Sequence, residues 1–277
     1  MGKYRLFAYD LDGTLLATDK SLPEENRSAL IRAHGEGIIM VPSTGRLYLG
    51  VNPEIRSLGI SRYYIVCNGA SLYDAEKDLS LYSAELPLDD MLALTDYLKT
   101  RFDVAQGCYR SDIGLMSFKD RDNLSHYFKD SFMMGYILSV HRGVPDLREE
   151  IAGAGLPVSK TSFYFADPAE RQYCLETLPS VFPHIKFTSS VPNNIECNSS
   201  MADKGLALEA LCNELGIPLS ECAAFGDGLN DIPMLKAAGL GVAMANAPDD
   251  VKAVSDMIAD TNDNAGVGKT MLSLLDE

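Results

Sequence analysis

The sequence is short of several things that would commit it to a class. Basic residues are few: 24 Lys and Arg stand against 39 Asp and Glu, a formal net charge of −15. A nucleic-acid binder needs a basic stripe to neutralise phosphates, and an anionic membrane surface repels an acidic excess, so neither nucleic acid nor membrane is an expected partner. No run of 18 uncharged apolar residues occurs, so no transmembrane helix is expected, and Asp10 interrupts the N-terminal apolar run before a signal-peptide core forms. Close cysteine pairs are missing as well. Cys67, Cys108, Cys174, Cys197, Cys212 and Cys222 are scattered without zinc or redox spacing, the pattern of reduced thiols in a cytoplasmic protein. The histidines, His34, His126, His141 and His184, lack metal-ligand spacing and read as surface or hydrogen-bonded residues. No internal repeat or low-complexity segment is found.

What is present is enough for a full core. With 277 residues, 46% of them hydrophobic, the chain is long enough for about two domains and too apolar for disorder. Short apolar runs at 4–9, 38–42 and 63–67 end on Asp10, on Ser43-Thr44-Gly45-Arg46 and on Asn68-Gly69. Between the first two, Ser21-Leu22-Pro23-Glu24 reads as a capping box opening a helix that turns Leu22, Ala29, Leu30 and Ala33 inward and stops near Gly35 or Gly37. The C-terminal part repeats the rhythm: a helix over 203–215 stopped by Gly216, a strand over 222–225 ending on Gly226-Asp227-Gly228, a helix over 231–238, and a strand over 240–244. Strands without alternation, separated by helices, describe an α/β fold whose Rossmann-like, doubly wound parallel sheet is buried on both faces.

Residues 84–194 differ in texture, with more aromatics and mixed strand and helix signals, including a helix over 88–101 and strands near 114–118 and 159–165. They read as an α+β domain inserted into a discontinuous core of 1–83 and 195–277. Its aromatics (Tyr109, Phe118, Tyr127, Phe128, Tyr164 and Phe165) read mostly as core.

In open α/β sheets the functional crevice lies at the carboxyl ends of the strands. Those ends here hold Asp10, Asp12, Thr44, Asn68 and Asp227, with Asp231 one helical turn beyond. Carboxylates gathered in this way repel one another unless a cation joins them, and hard oxygen ligands suit Mg²⁺. Lys204, at the start of the 203–215 helix, adds a cation beside a positive dipole end. An aspartate at a strand tip can attack phosphorus and form an aspartyl-phosphate, while a second carboxylate two residues on handles protons.

On these residues the sequence resembles the haloacid dehalogenase superfamily of phosphatases, in its Cof-type branch with an α/β cap. Asp10-Leu11-Asp12-Gly13-Thr14 is similar to the first family motif, Ser43-Thr44-Gly45-Arg46 to the second, Asp203-Lys204-Gly205 to the third and Gly226-Asp227-Gly228-Leu229-Asn230-Asp231 to the fourth. The resemblance implies Asp10 as nucleophile, Asp12 as general acid/base, and Thr44 and Lys204 as catalytic partners. It also implies phosphate and substrate contacts from Leu11, Thr44, Gly45, Arg46, Asn68, Lys204 and Asn230. Metal binding falls to Asp10, Asp12 (through its backbone carbonyl) and Asp227, with Asp231 supporting them. Asp203 departs from the Ser or Gly more typical before the lysine, and either adds negative charge near the phosphate or caps its own helix.

The implied activity is Mg²⁺-dependent hydrolysis of small phosphorylated metabolites, sugar phosphates foremost. A phosphomutase or phosphotransferase on the same fold, or a non-catalytic metabolite-binding protein, are the competing expectations. Substrate choice is expected to lie in the inserted domain, with Arg46, Tyr48, Arg110 and Asn194 as candidates; oligomeric state is not legible. Asp263 to Thr270 nearly spells a phosphate-binding loop, but Asp263 replaces its first glycine and too little chain follows, so no nucleotide site is expected there.

Overall fold

The computed structural model describes residues 3–110, 112–155 and 158–276. The chain begins with strands β1 (Leu6–Asp10), β2 (Ile39–Ser43), β3 (Tyr63–Val66), β4 (Ser71–Asp74) and β5 (Leu79–Ser83). It continues through β6 (Val104–Tyr109), β7 (Gly114–Ser117), β8 (His141–Val144), β9 (Lys160–Phe165), β10 (Ile185–Thr188) and β11 (Asn194–Ser199), and closes with β12 (Cys222–Gly226), β13 (Leu240–Met244) and β14 (Met257–Ala259).

One sheet runs β14-β13-β12-β1-β2-β3-β4-β5. Strand β1 sits near its centre, parallel to β2 on one side and to β12 on the other, and all five of its residues are buried. A strand covered on both faces has no solvent side to alternate toward, which is why LFAYD carries no period of two. Successive crossovers build outward in opposite directions from β1 and β12. The gap between their carboxyl ends is therefore the switch point where an open α/β sheet forms its crevice.

The helix Glu24–Gly35 buries Leu22, Ala29, Leu30 and Ala33 as its spacing predicts. Its capping box does not form. Pro23 takes the N-cap position without a side-chain bond, because the Ser21 hydroxyl and N–H both turn to Asp19 Oδ1. The helix Lys204–Leu215 is properly closed: Asp203 Oδ1 accepts the N–H groups of Gly205 and Leu206, and Gly216 ends it in the left-handed region at φ 62°.

The chain divides into two compact units. One comprises Met1–Arg46, Val51–Tyr82 and Asp203–Glu277; the other comprises Leu47–Gly50 and Ser83–Ala202. The return to the first unit thus falls at 202/203, eight residues later than the 194/195 expected from texture. Strand β11 is the reason: it pairs antiparallel with both β9 and β10, so Ile195 to Ser199 belong inside the second sheet. Leu47–Gly50, which carries Tyr48, also groups with this unit, a placement without any signal in composition.

The second unit's sheet runs β10-β11-β9-β6-β7-β8. On one face Val104, Cys108, Leu115, Phe163, Phe165 and Ile195 pack under the helices Leu88–Arg101, Leu147–Ala154 and Pro168–Val181. On the other, Ala105, Met116 and Tyr164 meet Leu124, Phe128 and Ile137. Of the aromatics read as core, Phe118 is instead 52% exposed. His141, read as a surface or hydrogen-bonded residue, is buried: one ring nitrogen, Nδ1, bonds the Ile137 carbonyl, and Nε2 has no partner among the described residues. Among the described residues no helix is long and apolar enough to cross a membrane.

Candidate active site

The site is built at the carboxyl ends of β1, β2 and β12 and at the start of the helix Lys204–Leu215. Lys204 is fully buried, and its ammonium donates to Asp10 Oδ1 at 2.7 Å, to Asp231 Oδ1 at 2.6 Å and to the Ser43 carbonyl at 3.2 Å. Burial alone pushes a lysine toward its neutral form; here the charges of Asp10 and Asp231 outweigh it and hold Lys204 protonated. The second oxygen of Asp231 accepts the backbone N–H groups of Asp227 and Gly228, so this carboxylate also shapes the turn after β12.

Carboxylate oxygens of Asp10, Asp227 and Asp231 lie within 4.8 Å of one another. Burial raises the Asp10 carboxyl well above the usual range, Lys204 offsets part of the shift, and repulsion from Asp231 and Asp227 adds to it. Asp227 is raised by burial and by Asp231, against a hydrogen bond from Thr14 Oγ1 to its Oδ1 at 2.7 Å. Buried and half-buried carboxylates that oppose one another's ionisation, with one lysine among them, form a donor set short of positive charge. All donors are hard oxygens, which fits a divalent metal ion such as Mg²⁺. Asp10 and Asp227 are the side chains best placed to hold one, because both Asp231 oxygens are already engaged.

Asp12 stands apart from this cluster. Its carboxylate is gripped by Arg46, Nη2 to Oδ1 at 2.6 Å and Nε to Oδ2 at 2.8 Å, and Lys20 Nζ lies 3.0 Å from Oδ1. Burial raises this carboxyl, but the two cations dominate and leave it below the ordinary carboxylate value. Any contribution of Asp12 to a metal is accordingly left to its backbone. Arg46, expected on phosphate, is here committed to Asp12.

Thr44 is buried at the end of β2, where its N–H bonds the Ile65 carbonyl and its Oγ1 accepts the N–H of Arg46. Its own carbonyl accepts the N–H of Asn68, a residue in the left-handed region at φ 61°. Asn68 Oδ1 accepts from Asn230 Nδ2 at 3.1 Å, which brings the second and fourth motifs together. It also leaves no space at Gly45, where a Cβ would fall 2.6 Å from that oxygen. Leu11 buries its side chain in the core and offers the site only its backbone.

A family model described as haloacid dehalogenase-like hydrolase matches residues 7–271. The chain belongs to that family. Among curated proteins, this haloacid dehalogenase-like chain is 32% identical over 267 residues to 5-amino-6-(5-phospho-D-ribitylamino)uracil phosphatase YcsE of Bacillus subtilis (strain 168), covering 96% of this chain and 94% of that protein. It is 34% identical over 291 aligned positions to phosphatase YwpJ of the same organism, covering 98% and 100%. A crystal structure of a haloacid dehalogenase-like hydrolase from Bacteroides thetaiotaomicron superposes with a TM-score of 0.82 at 28% identity, over 98% of this chain and 99% of that one. Together these make the chain a Cof-type phosphatase of the haloacid dehalogenase superfamily.

Three residues of the haloacid dehalogenase-like site carried no role from sequence. Thr14 steadies Asp227, and its place two residues after Asp12 was a usable signal. Asn246 Nδ2 donates to the Gly13 carbonyl at 2.8 Å, and Lys20 reaches Asp12; neither lies in a motif. The residues set aside are used elsewhere. Lys269 pairs with Asp260, and Asp263 accepts from the N–H and hydroxyl of Thr18. Asn194, a candidate for substrate choice, is instead buried, and its Oδ1 accepts the N–H groups of Ser190 and Val191, which staples its own loop.

Proposed function

We propose that this phosphatase hydrolyses small phosphorylated metabolites, with sugar or polyol phosphates as the substrate class, through a phosphoryl group carried on Asp10. The observation that carries the reading is Lys204, whose buried ammonium joins Asp10 to Asp231 beside Asp227. Asp10 attacks phosphorus, the ester P–O bond breaks, and the leaving oxygen takes a proton from Asp12. Asp12 then withdraws a proton from water as the water opens the aspartyl-phosphate. Thr44, Lys204 and Asn230, with the backbone at Leu11 and Gly45, line the phosphoryl oxygens, and Lys204 orients Asp10 and offsets part of the cost of its buried charge. Asp10, Asp227 and the Asp12 carbonyl, with Asp231 supporting them, would hold Mg²⁺, which would supply the positive charge that lets an anion enter an acidic chain.

The polyol suggestion rests on the similarity to YcsE, named for a substrate that carries a phosphorylated ribityl chain. Six buried cysteines, none in a disulfide, agree with a cytoplasmic setting. The test is release of phosphate from p-nitrophenyl phosphate by the wild-type protein, by Asp10→Asn, and by wild type with EDTA and then excess Mg²⁺. Asp10→Asn is expected to lose all measurable turnover with its melting curve retained. EDTA is expected to silence the enzyme and Mg²⁺ to restore it. Full turnover in Asp10→Asn would remove the nucleophile assignment, and turnover indifferent to EDTA would remove the metal.

A further inference from the structure

Gly13 is the point at which the first motif could lose its shape. Its φ is +90°, and a glycine has no side chain to hold a torsion in place, so neighbouring contacts must do it. Before Gly13 the chain is held by its own backbone. Leu15 N–H bonds the Asp10 carbonyl at 3.2 Å, and Leu16 N–H bonds the Leu11 carbonyl at 2.8 Å. At Gly13 itself the tie comes from far along the chain, where Asn246 Nδ2 donates to the Gly13 carbonyl at 2.8 Å.

The orientation of the Asn246 amide is set by its other partner. The backbone N–H of Asn262 can only donate, and it donates to Asn246 Oδ1 at 3.1 Å, which leaves Nδ2 for the Gly13 carbonyl. Asn262 is buried, and its own Nδ2 donates to the Leu16 carbonyl at 3.0 Å. A third asparagine, the fully buried Asn26, donates to the Leu15 carbonyl at 2.7 Å and accepts the Gly268 N–H at 2.7 Å.

These ties differ in what they achieve. The Asn26 and Asn262 amides satisfy buried carbonyls and so hold the fold together. Asn246 is exposed, water competes for both partners of its bond, and the bond adds little to stability. What it fixes is a direction. Peptide groups are planar, so a carbonyl turns only with its whole plane. The Leu11 carbonyl is held by Leu16 and the Gly13 carbonyl by Asn246; the plane between them, which carries the Asp12 carbonyl, is therefore clamped from both sides.

We propose that Asn246 is a positioning residue that aims the Asp12 backbone carbonyl at the divalent cation, with Asn262 holding the Asn246 amide in register. This rests on the metal reading given under the proposed function. Neither asparagine is a ligand in this role: each acts through the peptide that it orients.

The experiment measures the Mg²⁺ dissociation constant of the full chain by titration calorimetry, and the melting temperature of the metal-free protein. Wild type is compared with Asn246→Leu, Asn26→Ala and Asp227→Asn. Groups that orient metal ligands are worth about 10- to 100-fold in affinity, so Asn246→Leu should weaken Mg²⁺ binding by about that factor. Its metal-free melting temperature should match wild type. Asn26→Ala strands the buried Leu15 carbonyl and Gly268 N–H, and should do the reverse: melt lower and keep its affinity for Mg²⁺. Unchanged Mg²⁺ affinity in Asn246→Leu would overturn the proposal. So would a metal-free melting temperature lowered as far as that of Asn26→Ala, since Asn246 would then be a fold contact. If Asp227→Asn loses Mg²⁺ and Asn246→Leu keeps it, the positioning role falls and the metal reading stands. If wild type takes up no Mg²⁺, both fall together.

Discussion

Gly13 stands against Asp227 with no room between them. A Cβ built on Gly13 falls 2.4 Å from Asp227 Oδ2, and its φ of +90° is one that L side chains rarely adopt. The two residues lie more than two hundred positions apart in sequence, yet the first motif can turn only because the fourth leaves space for a hydrogen atom.

Gly13→Ala should therefore damage the site twice. The backbone strain costs about 1–3 kcal/mol, and displacement of the Asp227 carboxylate by about an ångström should lower kcat/KM on the order of 100-fold. Steady-state kinetics with a thermal melt separate the two effects. A variant with wild-type kcat/KM would mean that Asp227 is free to move without consequence.

Lys204→Met removes the shared cation and leaves the stem. Breaking a buried pair strands the remaining charge, here on Asp10 and Asp231, at a cost of about 3–5 kcal/mol. Chemical denaturation should show this loss at neutral pH. The deficit should shrink in acid, where Asp10, its carboxyl already raised by burial, protonates and no longer repels Asp231. An Arg at this position should not rescue activity, since a guanidinium is wider than the buried ammonium it replaces. Stability equal to wild type at pH 7 would contradict the account of the cluster.

His141 gives a pH dependence of definite sign. Burial lowers its pKa from 6.5 to about 4, helped by the charges of Lys160 and Arg121 and opposed by its bond to the Ile137 carbonyl. The unfolded chain thus takes up a proton that the folded one refuses. The stability contributed is whole above pH 6.5 and is lost as pH falls from there toward 4, by ~3 kcal/mol at most. His141→Phe, which cannot titrate, should flatten the stability curve of the wild type across that window. Parallel curves for the two proteins between pH 4 and 6.5 would show that the ring does not titrate there.

Much of the fold and most of the site were legible because the informative residues sit at element ends. Gly216, the Asp-Gly turns and the unbroken apolar runs mark where strands stop, and strand stops are where an α/β sheet does its chemistry. Lys204–Leu215, Leu88–Arg101 and Leu240–Met244 follow their expected limits for that reason. The 194/195 boundary failed because β11, buried along its whole length like β1, carries nothing in its composition that assigns it to one sheet, and only its pairing with β9 and β10 reveals where it belongs. The Ser21 capping box failed because the Ser21 hydroxyl donates to Asp19 Oδ1, two residues away, and so turns from the helix N–H groups it would have accepted. Lys20 was invisible for a different reason. Its reach to Asp12 comes from a backbone torsion and from the ties of its turn to Asp263 and Asn52 across the fold, none of which a local pattern contains.

The place of β1 in its sheet has a consequence during synthesis. Leu6 pairs with Cys222, and Arg5 donates to Glu221 across a sequence separation of 216, so one edge of β1 has no partner until the ribosome has made most of the chain. The sheet β6–β11, by contrast, is drawn from one uninterrupted stretch and is complete earlier. A nascent chain stalled before residue 222 would carry a buried-type strand with an open edge, the form most prone to pairing with another copy. Truncation products of this protein are therefore expected in the insoluble fraction, and the switch-point crevice is among the last features the polypeptide acquires.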